Sequence, residues 1–463
     1  MSNSICTKKL LIKILIINII LISAIKLNEI IKFNFLIFEK NFLKLYSHLN
    51  LPFYKSIKQK IKIGIFAYYL KNGGRARITS LFLTNLAKIK IFESYLFTVK
   101  NKEKNEYYIP KDIKRIVIKN FNIKKLFKII KKKKIDIFIY QNSIDKNVEK
   151  FNKLKRNKII FYLHQSFFYW IYSNFTVFKN IYKAYQNSEY AISLVSLEND
   201  YIFKKWGINS ILMDNFITYE YNSTIQSDLT QKIILMMGRA DNKLKRFQLG
   251  ILSMEYIVNE DKDCQMKIIS NTSNIYFLKN LVSSLILENN VKFYEYTSTP
   301  EVFFKNASLN IFPSISESFG LALCEIKIHS IPSILLGLDY ISTVDKGTII
   351  IYDDTPESIA KESLKILRNI NYRKNLGKLE RYSTKKFKNK NVLNKWVKLL
   401  LSVYYGKDYY EQLRRLDKKI PKKKAINFLC NQIKLLKKRK MKFQKFYLNE
   451  LENFSKIIEN DYL

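Results

Sequence analysis

The feature that most constrains this chain is a regular alternation that begins at Ile61. Short apolar runs of strand length are separated by helix-length amphipathic stretches. In the first half the runs are Ile61–Ala67, Tyr95–Thr98, Arg115–Lys119, Ile135–Tyr140, Lys158–His164 and Ala191–Val195. Between them, Arg75–Ile89 places Ile78, Leu81, Phe82, Leu86 and Ile89 at helical spacing. Leu197–Trp206 reads as a second helix with Ser196 as its N-cap. Strands that alternate with helices predict parallel sheets wrapped on both faces, the α/β doubly wound class.

A polar stretch, Glu220–Thr230, interrupts the alternation, which then restarts. The second set of strands is Lys232–Met237, Met266–Ser270, Val291–Tyr294, Ser308–Phe312, Ser333–Leu336 and Thr348–Tyr352. Helices are expected at Lys245–Val258, Tyr276–Glu288, Phe319–Ser330 and Pro356–Leu367. Two tandem doubly wound domains are the simplest account. Ligands of open α/β sheets bind beyond the carboxyl ends of the strands, which points to a cleft between the two domains.

Charge adds less than its size suggests. The chain of 463 residues carries 81 Lys and Arg against 39 Asp and Glu, a formal net charge of +42. A nucleic-acid or anionic-membrane partner is the direct reading of such a sum. Lys, Asn and Ile crowd every part of the sequence, however, as a compositional bias would produce, and no nucleic-acid recognition module is present. Nucleic acid is therefore not the expected partner. Cys6, Cys264, Cys324 and Cys430 are far apart, and only His48, His164 and His329 accompany them, so neither a disulfide framework nor a zinc site follows.

Both ends of the chain suggest membranes. Leu10–Ile25 is nearly continuous in apolar residues but shorter than the roughly 20 needed to span a bilayer core. An uncleaved anchor or in-plane amphipathic segment within residues 1–59 is expected. Lysines flank it on both sides, and the sequon Asn306-Ala307-Ser308 adjoins a strand that reads as buried, where a glycan would not fit. The body is accordingly expected to be cytosolic. Residues 404–463 form a basic tail in which Leu435, Leu436, Phe443, Phe446 and Tyr447 share a helical face, suited to an anionic membrane surface or to packing on the body.

The strongest chemical signal is Phe312-Pro313-Ser314-Ile315-Ser316-Glu317-Ser318-Phe319-Gly320-Leu321-Ala322-Leu323-Cys324-Glu325. A strand ends, a polar turn carries Glu317, and Glu325 lies inside the following helix. Eight positions of helix span about 12 Å, too far for two carboxylates to share a proton but suited to gripping opposite ends of a long ligand. Gly320 between them permits close approach, and free helix-start N–H groups offer an anion site. Upstream, Gly238-Arg239 leaves a strand, with Lys245 six positions later. In the first half, Asn72-Gly73-Gly74-Arg75 joins a strand to a helix, where tandem glycines let backbone approach a phosphate or sugar. Asp261-Lys262-Asp263 reads as an exposed loop ahead of a strand rather than a metal motif.

These motifs resemble the retaining GT-B glycosyltransferases of family 4, the glycosyl transferases group 1 family. The resemblance covers roughly residues 60–403 and is densest in 231–340. It implies the GT-B architecture: residues 60–219 as acceptor domain, 220–230 as linker, 231–390 as nucleotide-sugar donor domain and 391–403 as a helix crossing back to the first domain, with Trp396 in it. It implies that Glu325 holds the donor ribose, Glu317 the sugar hydroxyls, and Arg239 and Lys245 the diphosphate. Gly238, Phe319, Gly320 and Leu321 would shape the donor site. Gly73 and Gly74 would face the donor across the cleft, and His164, ending a strand, would contact the donor sugar. The implied substrate is a UDP- or GDP-linked sugar, with no metal or other cofactor and an acceptor of unidentified class. Two positions depart from the family pattern: Arg246 and Ser330 stand where it usually has glycine. The same fold also serves sugar-phosphate synthases and phosphorylases, and a catalytically inactive scaffold tethered to a membrane is the alternative from another class.

Overall fold

The structure, a computed structural model, describes residues 59–71, 73–141, 158–166, 175–186, 188–221, 224–240, 244–270, 275–297, 299–338, 340–405 and 456. The expected N-terminal anchor, nearly all of the basic tail, Asn72 and residues 241–243 lie outside the described residues. The body from Ile61 onward lies within one compact unit.

Two parallel sheets make up that body. The first contains β1 (Ile61–Phe66), β2 (Phe92–Thr98), β3 (Lys114–Val117), β4 (Ile137–Tyr140), β5 (Lys158–Tyr162), β6 (Tyr190–Ser193) and β7 (Ser210–Leu212) in the order β3-β2-β1-β4-β5-β6-β7. Its helices are α1 (Gly74–Leu86), α2 (Ile123–Lys132), α3 (Phe175–Gln186) and α4 (Ser196–Trp206). The second contains β8 (Ile233–Met237), β9 (Gln265–Ile269), β10 (Val291–Tyr294), β11 (Leu309–Phe312), β12 (Ser333–Leu336) and β13 (Ile349–Ile351) in the order β10-β9-β8-β11-β12-β13. The helices α5 (Phe247–Glu260), α6 (Ile275–Ser284), α7 (Leu321–Lys327), α8 (Pro356–Arg368), α9 (Ile370–Ser383) and α10 (Asn389–Tyr405) complete it.

Every strand pair in both sheets is parallel. In each sheet the order reverses beside the first strand, at β1/β4 and at β8/β11, which is the switch point where doubly wound sheets bind ligands. The central strands are buried on both faces, so β4 (IFIY) and β8 (IILMM) read as unbroken apolar runs rather than as alternating ones. Close packing uses glycine at chosen points. A Cβ on Gly250 would stand 2.4 Å from the Met236 sulfur, so α5 presses on β8 only because that side chain is absent.

Three differences from the sequence expectations have local causes. Ser196 is the first residue of α4, with Val195 at the cap position and no side-chain cap bond. Strand β7 and helix α9 were not anticipated: β7 is only three residues long, and α9 starts one residue after Asn369, which ends α8 and caps α9 by accepting from Tyr372 N at 2.9 Å. Helix α7 is shorter than Phe319–Ser330 because Gly320 (φ 72°) and Ser330 (φ 67°) both take left-handed backbone.

Helix α10 returns to the first sheet. Trp396 is 1% exposed, edge-on to Phe82 on α1 at 4.7 Å and tilted against Tyr162 at 5.3 Å. Asn389 bonds the backbone of Ile217 in both directions at 2.9 Å, and Lys158 Nζ donates to the Tyr404 carbonyl at 2.9 Å.

Candidate active site

A cleft of about 480 Å³ opens where the carboxyl ends of the two sheets converge. From the first half it is lined by the Gly73–Ile78 segment at the start of α1, by Gln141 after β4, and by His164 and Ser166 after β5. From the second half come Gly238, Arg239 and Lys245 after β8, Tyr296 after β10, and Ser316–Ala322 with Glu325 after β11. All eleven residues singled out from the sequence (Gly73, Gly74, His164, Gly238, Arg239, Lys245, Glu317, Phe319, Gly320, Leu321, Glu325) line this one cleft.

The two glutamates stand in different surroundings. Glu317 lies in the turn before α7, its carboxylate ion-paired with Lys245 Nζ, which also sits over the Phe312 ring at 5.2 Å. Glu325 is 3% exposed within α7. Its Oε1 accepts from Arg77 Nη1 and from Thr218 Oγ1, the latter at 2.7 Å. No protein donor is recorded for Oε2 among the described residues. Arg77 comes from the first turn of α1, so this buried pair links the two halves. Burial works against the Arg77 charge, but Glu325 more than offsets it and raises the pKa above the usual arginine value. The guanidinium also stands 5.5 Å from the Tyr107 ring centre, beside the Tyr107–Tyr296 hydroxyl contact of 3.4 Å.

His164 ends up as a neutral group. Burial pushes its pKa down to about 3, and the positive charge of Arg75 pushes the same way. Its ring lies against Tyr162 at 3.9 Å between centres, its carbonyl accepts from Ser318 Oγ at 2.7 Å, and its Nε2 is buried without a hydrogen-bond partner among the described residues. Two further buried polar atoms in the cleft, Gln141 Nε2 and Ser316 Oγ, lack partners among the described residues. The other end of the Gln141 amide is fixed, since Oε1 accepts from Thr79 Oγ1 at 2.9 Å.

The glycines divide by physical role. Gly73 has φ 91° and Gly320 φ 72°, values that side-chain-bearing residues rarely adopt. Gly74 has an ordinary φ and nothing within 4 Å of a would-be Cβ, so only space for a ligand recommends glycine there. Arg246 (φ 52°) and Ser330 (φ 67°), the two departures from the family pattern, both hold the left-handed conformation that a glycine would take at no cost. Arg246 is tied to Asp354 at 2.7 Å, and Ser330 Oγ donates to Gln226 Oε1 at 2.7 Å. Asp261 pairs with Lys232 at 2.7 Å ahead of β9, away from the cleft lining.

Sequence reasoning missed Arg77 and Gln141 in the cleft and Thr218 beside Glu325, and it quoted Arg75 and Ser316 without assigning them anything. Arg75 and Arg77 stand in plain sight after the Gly-Gly pair. In a chain with 81 basic residues, nothing short of the fold separates them from the background.

Comparison with known proteins agrees with this geometry. No curated protein matches the chain in sequence. Solved structures that resemble it include sucrose-phosphate synthase from Thermosynechococcus elongatus, at 14% identity and TM-score 0.62 over 75% of this chain and 100% of that one. The Anabaena protein HepE in complex with UDP-glucose resembles it at 12% identity and TM-score 0.61, covering 74% and 100%. TarM does so at 14% and 0.61, covering 74% and 99%. These likenesses show the two-sheet GT-B fold. Residues 220–381 match the family model described as glycosyl transferases group 1. The second half of the body is thus a glycosyl transferases group 1 domain, and the chain that carries it is an enzyme of the glycosyltransferase class.

Proposed function

We propose that the protein transfers a sugar, with retention of anomeric configuration and without a metal ion, from a UDP- or GDP-linked donor to an acceptor held by the first half. The observation that carries this reading is the arrangement of Glu317, Glu325, Arg239 and Lys245 around one cleft at the switch points of both sheets. Structural relatives solved with UDP or UDP-glucose support the nucleotide.

In this reading Glu325 Oε2 accepts from the donor ribose, while Arg77 and Thr218 on Oε1 hold the carboxylate in place. Glu317 accepts from sugar hydroxyls. As the anomeric carbon–oxygen bond breaks, its electron pair stays on the β-phosphate, where Arg239, Lys245 and the helix-start N–H groups stabilise it. The acceptor oxygen bonds to the same face of the anomeric carbon and gives its proton to the departing phosphate. His164, held neutral, donates or accepts a hydrogen bond to the sugar without changing charge near neutral pH. Membrane association through the first 59 residues and the basic tail belongs to the same proposal, as does a cytosolic body.

The test is nucleotide release from a panel of UDP- and GDP-sugars by the full chain in detergent, with and without chelator. Release from one donor that survives chelator and is lost in Glu325→Ala and Arg239→Ala carries the reading. Product anomers resolved by NMR decide retention. A folded protein that binds no nucleotide sugar favours the inactive scaffold instead.

A further inference from the structure

Helix α1 begins in the cleft with the wrong charges for a free helix. The start of a helix is its positive end, where acidic or capping side chains are favoured and cations are not. The first turn of α1 has no acidic residue and no side-chain cap at Gly73. It carries Arg75 and Arg77 instead. Arg77 is answered by Glu325. Arg75 has no ion pair, and its guanidinium makes no hydrogen bond among the described residues, yet it lines the cleft opposite Arg239. Arg239 likewise has no carboxylate partner there, whereas Lys245 is already held by Glu317. Among the described residues, the two cations of the cleft without a counter-charge are therefore Arg75 and Arg239, one from each half. They are close enough that Arg239 helps to lower the Arg75 pKa, after burial, which is the larger cause.

A second observation at the same place points to a ligand. Gln141 and Ser316 are 3% and 7% exposed, and Gln141 Nε2 and Ser316 Oγ are buried in the cleft lining without partners among the described residues. Buried polar atoms are costly to leave unpaired, and both of these can donate to a phosphate or sugar oxygen.

We propose that Arg75 is a diphosphate-binding residue delivered by the first half, so that the nucleoside diphosphate is clasped between Arg75 on α1 and Arg239 after β8. This rests on the reading of the cleft as a nucleotide-sugar site. A nucleoside diphosphosugar carries two negative charges, matching the two unanswered guanidiniums, and guanidinium–phosphate contacts are charge-assisted and directional. The diphosphate also supplies the anion that the uncapped start of α1 lacks. Donor binding thereby ties the two halves together at the bond that breaks.

The experiment is calorimetric titration of the full-length protein in detergent with UDP, GDP, uridine, guanosine and inorganic pyrophosphate, for wild type, Arg75→Ala and Arg75→Lys. The diphosphate that wild type binds should bind Arg75→Ala at least about tenfold more weakly. The matching nucleoside should change by less than about twofold, and Arg75→Lys should recover part of the loss. The melting temperature of ligand-free Arg75→Ala should not fall, because an unanswered cation has been removed from a helix start. Unchanged diphosphate affinity in Arg75→Ala, or an equal loss for the nucleoside, overturns the assignment while leaving the nucleotide site standing. Wild-type protein that is folded but binds none of the diphosphates overturns the nucleotide-sugar reading and this inference with it.

Discussion

Two helices begin at the cleft, α1 from the first half and α7 from the second, and they carry their cations at opposite ends. Helix α7 is balanced at its C-terminal end, while its start after Gly320, like that of α1, has no acidic residue and no side-chain cap. Its last turn carries Lys327, fully buried and paired with Glu380 at 2.6 Å, and the Arg381 guanidinium donates to the Ile328 carbonyl just past its end. Cations at a helix C-terminus are where the dipole favours them. Helix α1 puts its two cations at the other end, and only one is answered. The comparison teaches where to look for substrate: both helix starts open on the cleft without a cap, and α1 adds there a cation, Arg75, that has no counter-charge among the described residues.

The strongest way to break this contrast is at the Arg77–Glu325 pair that joins the two helices. Glu325→Ala removes the carboxylate that answers Arg77 and leaves a buried guanidinium uncompensated, which costs about 3–5 kcal/mol in such cases. Donor turnover should fall at least ~100-fold, because the ribose partner is lost as well. Urea unfolding and nucleotide release on the same preparation measure both. A variant that unfolds like wild type would show that α1 and α7 are not energetically coupled.

Arg77→Ala probes the same pair from the other side and should cost slightly less, about 3 kcal/mol, since Thr218 still donates to Glu325. Its effect on binding should be the reverse of that expected for Arg75→Ala. Nucleoside affinity drops several-fold, because Glu325 is no longer held in place, and Arg77→Lys rescues stability better than it rescues affinity. Two arginines two positions apart would then be separable into one that positions the ribose partner and one that meets the phosphates. If both variants weaken uridine or guanosine equally, that division fails.

The asymmetry between the helices also explains what was legible in the sequence. Strand and helix order followed from apolar runs such as IKIGIF and IILMM, because buried parallel strands carry their signal in a few contiguous residues. The Glu317–Glu325 segment was legible for the same reason, since one turn and one helix hold the whole motif. Arg77 was not, because its meaning lies in a carboxylate 248 positions away. Thr218 and Gln141 were hidden likewise, one in the polar connection after β7 and the other at the end of β4. Short β7 escaped because three residues carry no period, and α9 escaped because it follows α8 after a single residue.

A smaller effect should appear in the pH dependence of stability. His164 has a folded pKa of about 3 against an ordinary value of 6.5, through burial and then Arg75. The unfolded chain therefore binds a proton between those values that the folded chain refuses. Stability from this group is full above pH 6.5 and is lost as pH falls toward 3, on the order of 1–2 kcal/mol by pH 5. Denaturant titrations from pH 8 to pH 4 should show wild type losing more stability than His164→Gln over that window. Arg75→Ala should narrow the window by letting the histidine pKa rise. Parallel curves for wild type and His164→Gln would mean that the ring is not sheltered beside α1.

The smallest expected effect gives the cleanest separation of scaffold from substrate at the start of α1. Gly74 is the first residue of the helix, has ordinary φ, and would place a Cβ in open space. Gly74→Ala should therefore stabilise the ligand-free protein by up to about 1 kcal/mol, because alanine has less conformational freedom to lose on folding. The same methyl group stands where a diphosphate would approach the helix-start N–H groups, so nucleoside diphosphate affinity should fall several-fold while nucleoside affinity holds. Gly73→Ala differs, since φ 91° makes it destabilising with or without ligand. Thermal melts with and without the bound nucleotide compare the two: Gly74→Ala should melt above wild type alone and below it with nucleotide. A gain under both conditions would mean that no ligand reaches this helix start, and the unanswered charge of Arg75 would then need another explanation.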